Sequence, residues 1–87
     1  MKTYYGIIEL YGNSGEAFFA TNEFEREECP DDVQCSNGKF DVYIEWYDIE
    51  EKRDEAKENV VAEGGKRIEW FRAAHVYSVE KEGAANA

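Results

Sequence analysis

The segment KFDVYIEWYD, residues 39–48, alternates apolar and polar side chains from end to end. Because neighbouring side chains of a β-strand point to opposite faces of a sheet, this period of two predicts a strand with one buried face. The residues expected to face the core are Phe40, Val42, Ile44 and Trp46. Those expected to face outward are Asp41, Tyr43, Glu45 and Tyr47. The outward face of this strand is therefore predicted to be acidic and aromatic together.

The chain before this segment carries further strand and turn signals. The pair Asn37-Gly38 suits a tight type I′ turn and predicts a hairpin turn leading into the strand. Residues 3–11, TYYGIIELY, are rich in strand formers. A Gly-Asn-Ser-Gly turn cluster and the apolar residues 17–20 follow them, a pattern that predicts a β-hairpin. Residues 22–28 either continue the second strand, which we favour, or form a short helical turn.

A charged run after the central strand predicts a single helix that ends at Gly64-Gly65. Asp48, followed three positions later by Glu51, resembles a capping box and places the start of the helix there. Four residues are spaced to turn inward: Ile49, Arg53, Ala56 and Val60. Among them, Arg53 is expected to fill its position with its aliphatic stem. The acids expected to stay in water are Glu50, Glu51, Asp54, Glu55 and Glu58.

The last segment, residues 66–81, predicts a strand whose apolar positions change phase near Trp70 and Phe71, so that a β-bulge is required there. Residues 83–87 lack an apolar anchor and are expected to form a frayed tail. The predicted fold class is α+β, with the element order β-β-β-α-β. It consists of a mostly antiparallel four-stranded sheet with one helix packed on a face, forming one domain over residues 1–82.

Composition and charge exclude several classes of protein. The 87 residues are 43% hydrophobic and 15% aromatic, enough for one compact core and too rich for a disordered acidic chain. Twenty Asp and Glu against ten Lys and Arg give a formal charge of −10, which disfavours direct binding to nucleic acid or to an anionic membrane. No signal-peptide pattern or membrane-spanning apolar run is found, so a cytoplasmic location is expected.

Residues that could support catalysis or metal binding do not form a recognisable motif. Cys29 and Cys35 flank the irregular segment around Pro30 with a C-x5-C spacing that is not typical of zinc or redox sites, and we expect them to be thiols in a reducing compartment. The aspartates after Pro30 lack the order of a calcium loop. His75, expected to be partly buried, has no nucleophile beside it by motif. We therefore expect no metal, no cofactor and no enzymatic activity.

The positions of the acids are the most informative feature for function. On a strand, Glu23, Glu25 and Glu27 would point the same way at a spacing of about 6.6 to 6.8 Å. On the helix, like-charge pairs four residues apart would repel each other mildly, which favours selection for the negative field itself. An alternative is a plainly solvated acidic surface. The residues predicted to bind a partner are Glu23, Glu25, Glu27, Glu28, Asp31, Asp32, Tyr43, Tyr47, Glu50, Glu51, Asp54, Glu55 and Glu58.

With these acid clusters and the outward Tyr43 and Tyr47, the chain resembles the small acidic inhibitors carried by phages and mobile elements, among them anti-CRISPR proteins and DNA-mimicking antirestriction proteins. The resemblance lies in composition and size. It implies stoichiometric blockade of a nucleic-acid-binding host complex, without catalysis, through a basic surface of that complex. If the protein is encoded by a phage, its location is the cytoplasm of the host.

A second interpretation belongs to a different functional class. The chain would then be a small structural or regulatory interaction domain whose acidity secures solubility and whose exposed edge strand pairs with a partner or with itself. Both a monomer and a homodimer remain open. Trp46 and Trp70 are interpreted as core residues, with a contribution to partner contact as the alternative.

Overall fold

The computed structural model describes residues 1–36 and 39–85, with side chains as far as Tyr77. A five-stranded mixed sheet carries one helix on each face, which confirms the α+β class but not the predicted four antiparallel strands with a single helix. The order of strands across the sheet is β3-β4-β1-β2-β5. The elements are β1 (Lys2–Gly12), β2 (Ala17–Arg26), β3 (Val33–Ser36), β4 (Phe40–Tyr47), α1 (Glu50–Ala62), β5 (Lys66–Arg67) and α2 (Trp70–Ala85).

Strands β1 and β2 form the predicted hairpin, and their antiparallel pairing runs from Lys2 opposite Arg26 to Tyr11 opposite Ala17. The turn between them includes Gly15, whose φ of 89° is a left-handed conformation that glycine adopts without a steric penalty. The favoured prediction that β2 continues past residue 22 is correct as far as Arg26.

Strand β4 alternates as its sequence predicts. Val42 and Ile44 are buried, and Phe40 and Trp46 pack against the core cluster on the same face. β4 pairs antiparallel with β1 on one side and with β3 on the other. The sequence did not indicate β3, because it is a four-residue edge strand with only two apolar positions. The predicted turn at Asn37-Gly38 lies outside the described residues.

Helix α1 begins at Glu50, one residue later than the capping-box pattern predicts. The N-cap is Ile49, without a side-chain hydrogen bond, so the predicted cap by Asp48 and Glu51 is wrong. Instead, the Asp48 carboxylate lies 3.9 Å from the Lys2 ammonium. Ile49 is also not an inward residue, because it precedes the first turn and is 47% exposed.

The end of α1 agrees with the prediction. Gly64 has a φ of 91°, and its N–H donates to the carbonyl of Val61 over 3.0 Å. The next residue, Gly65, donates to the carbonyl of Val60 over 2.9 Å. A left-handed glycine that reverses the chain in this way is a common helix terminator.

The two faces of the sheet are covered by different helices. α1 lies over the face that carries Tyr5 and Ile7, with Arg53 above the Tyr5 ring at 5.6 Å from its centroid and Val60 buried. α2 covers the opposite face, where Ala73 packs into a buried apolar cluster. That core cluster consists of Ile8, Leu10, Ala20, Val42, Ile44 and Ala73.

The predicted last strand over residues 66–81 is wrong. Only Lys66–Arg67 is a strand, paired parallel with β2, and α2 begins at the point where a bulge was predicted. Helical spacing explains the difference, since Trp70, Ala73, Ala74 and Tyr77 lie three and four residues apart and form one stripe toward the core. The small Ala73 side chain lets the helix lie close to the sheet. α2 continues through Gly83 to Ala85, and the rest of the predicted tail lies outside the described residues.

An aromatic cluster closes one end of the α2 side of the sheet. The rings of Phe24, Trp46 and Trp70 lie 5.7 to 5.9 Å apart between centroids. Trp46 reaches this cluster by crossing β1 at Gly6, where an added Cβ would lie 2.6 Å from the indole ring. Both tryptophans therefore serve the core, as the sequence interpretation favoured.

Neither helix, within the residues the structure describes, is long and apolar enough to cross a membrane.

Candidate functional site

Acidic side chains from the sheet and from α1 lie on the same side of the molecule. Tyr5 of β1 is paired with Glu23 of β2 and with Tyr47 of β4. Paired residues point to the same face of the sheet, so these three side chains all lie on the face that α1 covers. The sheet acids on that face are Glu9, Glu23, Glu25, Asp41 and Glu45. The acids of α1, which packs on it, are Glu50, Glu51, Asp54, Glu55 and Glu58. We call these ten residues the acidic face.

Arg53 is the central cation of the acidic face. Its side chain is only 6% exposed and lies within ion-pair distance of Glu23 at 3.2 Å, Glu50 at 3.6 Å and Asp54 at 2.9 Å. The hydrogen bond from Arg53 holds the pKa of the Asp54 carboxyl below its usual range. The predicted repulsion between Glu50 and Asp54 is therefore relieved, because Arg53 lies within reach of both.

Other acids of the face have no such compensation. Within the described side chains, no Lys or Arg comes within 4.0 Å of the carboxylates of Glu25, Glu51, Glu55 or Glu58. The pair Glu51 and Glu55 is four residues apart on α1, as predicted, and both side chains are exposed. These four acids make the acidic face more negative without contributing an ion pair to the fold.

A shallow depression of about 360 Å³ lies on the part of the acidic face formed by β1 and β4. We call it the tyrosine–carboxylate depression. Its lining residues are Glu9, Tyr11, Asp41, Tyr43 and Glu45. The Tyr11 hydroxyl donates to Glu9 over 2.6 Å, and the Tyr11 and Tyr43 rings meet nearly edge to face with 5.8 Å between centroids. The Tyr11 phenol thus holds the Glu9 carboxylate in place.

The ionised form of Glu9 is disfavoured in this depression. Burial raises the pKa of its carboxyl from 4.5 to about 7; the Tyr11 hydrogen bond opposes the rise, while the neighbouring Glu45 carboxylate adds to it. No basic side chain among the described residues lies within 4.0 Å of Glu9 or Glu45. A cation that entered the depression would stabilise the ionised form of Glu9 and lower its pKa.

Tyr47 extends the arrangement toward the end of β4. Its hydroxyl donates to Glu45 over 2.7 Å. Burial, followed by the hydrogen bond to the neighbouring carboxylate, raises the pKa of both Tyr11 and Tyr47 above the ordinary tyrosine value. Both phenols consequently remain neutral hydrogen-bond donors at physiological pH.

The second predicted cluster lies partly away from the acidic face. Glu23 and Glu25 share a face as predicted, but Glu27 lies past the end of β2, so the row of three on one strand is wrong. Glu27, Glu28 and Asp31 are exposed in the irregular segment that follows. Asp32 has a structural role, since its carboxylate accepts a hydrogen bond from the backbone N–H of Trp46 over 3.0 Å.

Tyr43 and Tyr47 lie on the acidic face, as their strand phase predicts, and both are half-buried. Sequence reasoning did not single out Glu9 and Tyr11, the two residues that complete the depression. Their odd-numbered phase in β1 was visible in the sequence, but the pairing of β1 with β4 that brings them to Tyr43 was not.

The described residues contain no group of three or more His, Cys, Asp or Glu side chains placed to hold a metal ion. Cys29 and Cys35 are not joined in a disulfide. His75 is exposed on α2, which corrects the expected partial burial that followed from placing it on a strand.

Comparison with known proteins leaves the acidic face as the main guide to function. No protein-family model, no curated protein and no solved structure gives a significant match to this chain.

Proposed function

We propose that this protein is a non-enzymatic acidic binding protein that blocks a basic, nucleic-acid-binding site on a host protein complex, in the manner of an anti-CRISPR or DNA-mimic inhibitor. The observation that carries the proposal is the acidic face, on which five sheet acids and five α1 acids lie on one side of a small folded domain. Fixed carboxylates on such a face stand in for the phosphates of nucleic acid. They would be attracted to the same groove of Lys and Arg side chains.

The energetic cost of the acidic face supports this proposal. Arg53 compensates three of its acids, but Glu9 and Glu45 are half-buried without a basic neighbour among the described side chains. A surface that served solubility alone would gain nothing from burying carboxylates. A basic partner supplies the missing counter-charge and therefore accounts for the arrangement.

The tyrosines give the partner more than a charge to bind. A Lys or Arg side chain in the tyrosine–carboxylate depression would meet carboxylate oxygens and the rings of Tyr11 and Tyr43 together. Cation–π contact and charge-assisted hydrogen bonds can then act on the same side chain. Charges would speed the encounter, while Tyr43 and Tyr47 would slow dissociation.

Isolation of the partner is the first step of the test. The tagged protein is used to capture host proteins at low salt, and each captured protein is identified by mass spectrometry and purified. Inhibition is then measured as loss of nucleic-acid binding by that purified protein in a gel-shift titration. We expect complete loss near a one-to-one ratio.

Matched charge reversals then test the acidic face. Two double variants change the net charge by the same amount. The first, Glu51→Lys with Glu55→Lys, lies on the acidic face, and the second, Glu16→Lys with Glu69→Lys, does not. Glu23 is left unchanged, because its ion pair with Arg53 belongs to the fold. We expect the first variant to lose about tenfold or more in affinity, mainly through slower association, and the second to lose little.

Salt gives an independent measure of the same interaction. Raising ionic strength from about 50 to 500 mM shortens the Debye length from about 14 to about 4 Å, so the association rate should fall steeply. An association rate unaffected by salt, or equal losses in the two charge-reversal variants, would contradict the proposal.

The alternative of edge-strand pairing has less support. On one side the sheet ends in the four-residue strand β3, and on the other side β5 pairs only with Phe18 and Phe19 of β2. The outer edge of β2 beyond Phe19 therefore has no strand partner among the described residues, but it carries the charged residues Glu23, Glu25 and Arg26, which oppose pairing with another strand. If partner binding survived the acidic-face reversal but was abolished by a proline in β3 or in the outer edge of β2, this alternative would replace the proposal.

A further inference from the structure

A separate cavity of about 660 Å³ lies between α2 and the sheet, on the side opposite the acidic face. Leu10, Phe18 and Phe40 line the cavity on the side of the sheet. Ile68, just before α2, and Val76, within α2, line the opposite side. Its volume lies within the range of about 300 to 1,000 Å³ that is typical of small-molecule sites.

The mouth of the cavity shows a large apolar side chain beside a cation. Phe71 is 65% exposed, an unusual state for an aromatic residue that adjoins an apolar cavity. Arg72 and His75 line the same cavity. An exposed aromatic ring at a cavity mouth loses its contact with water when an apolar ligand enters.

Charge selects the class of ligand. Although the chain has twice as many acidic as basic residues, none of the described side chains that line this cavity is an Asp or a Glu. Arg72 lies at the cavity with no carboxylate of the described side chains within 4.0 Å. A guanidinium group of this kind can bind a carboxylate through two parallel hydrogen bonds.

We propose that this cavity binds an amphipathic anion, with an apolar chain or ring of about ten carbons against Leu10, Phe18 and Phe40 and one carboxylate on Arg72. The inference does not depend on the proposed partner, because the cavity and the acidic face lie on opposite sides of the sheet. It adds a small-molecule site to a protein whose remaining features indicate protein binding.

The test uses decanoate as the probe, titrated below its micellar range into the ¹⁵N-labelled protein. Amide chemical shifts should change in a saturable, one-to-one manner, and the changes should concentrate at residues 68–76. Acetate carries the charge without the apolar chain and should cause no localised change. Decanol carries the chain without the charge and should bind about tenfold more weakly, because it forms no charge-assisted hydrogen bond with Arg72.

Two matched variants assign the carboxylate. Arg72→Gln should weaken decanoate binding by about tenfold and leave decanol binding unchanged. Arg67→Gln removes the same charge from an exposed residue that does not line the cavity, and should leave both unchanged. Both replaced side chains are exposed, so the variants are expected to fold.

Three results would overturn the inference. The first is no saturable shift with decanoate, and the second is shifts spread over the whole surface. The third is equal affinity of wild type and Arg72→Gln for decanoate, which would show that the cavity does not recognise the anion.

Discussion

Replacing Glu9 by Gln should make the protein more stable at pH 8. Glutamine has nearly the same shape as protonated glutamate, and its side-chain oxygen can still accept the hydrogen bond that Tyr11 donates over 2.6 Å. The variant therefore keeps the contacts of Glu9 and removes its charge. Because burial and the neighbouring Glu45 disfavour that charge, its loss should raise the free energy of unfolding.

The magnitude and the sign follow from the pKa of Glu9. A rise from 4.5 to about 7 corresponds to a ceiling of about 3.4 kcal/mol, at about 1.36 kcal/mol for each tenfold change. Glu9 is only half-buried, so solvent screening reduces the expected effect to about 1 kcal/mol. Between pH 4.5 and 7 the folded chain binds more protons at Glu9 than the unfolded chain does. The contribution of Glu9 to stability therefore falls as pH rises through this window.

Urea unfolding, followed by tryptophan fluorescence at pH 5 and at pH 8, measures this effect. We expect Glu9→Gln and wild type to differ little at pH 5, and the variant to be more stable by about 1 kcal/mol at pH 8. Glu58→Gln is the control, since it also removes one negative charge but from an exposed side chain of α1 without an ion pair among the described residues. If both variants gained the same stability, general repulsion rather than the depression would explain the result, and our reasoning about Glu9 would be refuted.

Two further predictions concern the scaffold. Gly6→Ala places a Cβ 2.6 Å from the Trp46 ring and should lower the free energy of unfolding by about 1 to 3 kcal/mol, with a changed near-ultraviolet circular dichroism spectrum; a loss below about 0.5 kcal/mol would contradict the close approach. Arg53→Met keeps an apolar stem but leaves Glu23 without a cation and Asp54 with only the Lys57 ammonium at 3.8 Å, and should lower the free energy of unfolding, measured with urea, by about 2 to 3 kcal/mol. Unchanged stability of Arg53→Met would mean that these ion pairs contribute nothing to the fold.

The hairpin and the central strand were predictable because local signals and tertiary structure agree there. The alternation in β4 has a period of two, and β4 does lie between two strands with one face on the core. The segment after α1 was wrongly predicted as a strand, because Phe71, Ala73 and His75 lie two residues apart, as the residues of one strand face do. Trp70, Ala73 and Tyr77 in the same segment are spaced three and four residues apart, as on one face of a helix. The segment forms a helix because this face packs against the sheet.

The sequence predicted which strand and helix faces carry the residues of the candidate site, but not how those strands and the helix lie next to each other. The phase of β4 was enough to place Tyr43 and Tyr47 on an outward face with acids. The contribution of Glu9 depends on β1 lying between β2 and β4, a long-range pairing that leaves no local signal in the sequence. In the same way, spacing on α1 indicated that Arg53 turns inward, but only the folded chain brings Glu23 of β2 to its guanidinium.

The acids of this protein fall into two groups with different consequences for the fold. Glu23, Glu50 and Asp54 surround Arg53, and Asp32 holds the backbone of β4, so the loss of any of them should weaken the scaffold. A second group forms no ion pair within the described side chains, so neutralising its members removes no ion pair from the fold. Its members are Glu25, Glu51, Glu55 and Glu58. Glu51 lies in the first turn of α1, where a negative charge favours the helix, whereas Glu25, Glu55 and Glu58 only add like charge to the acidic face. The positively charged partner that we propose would give these three acids a counter-charge that the described side chains do not supply.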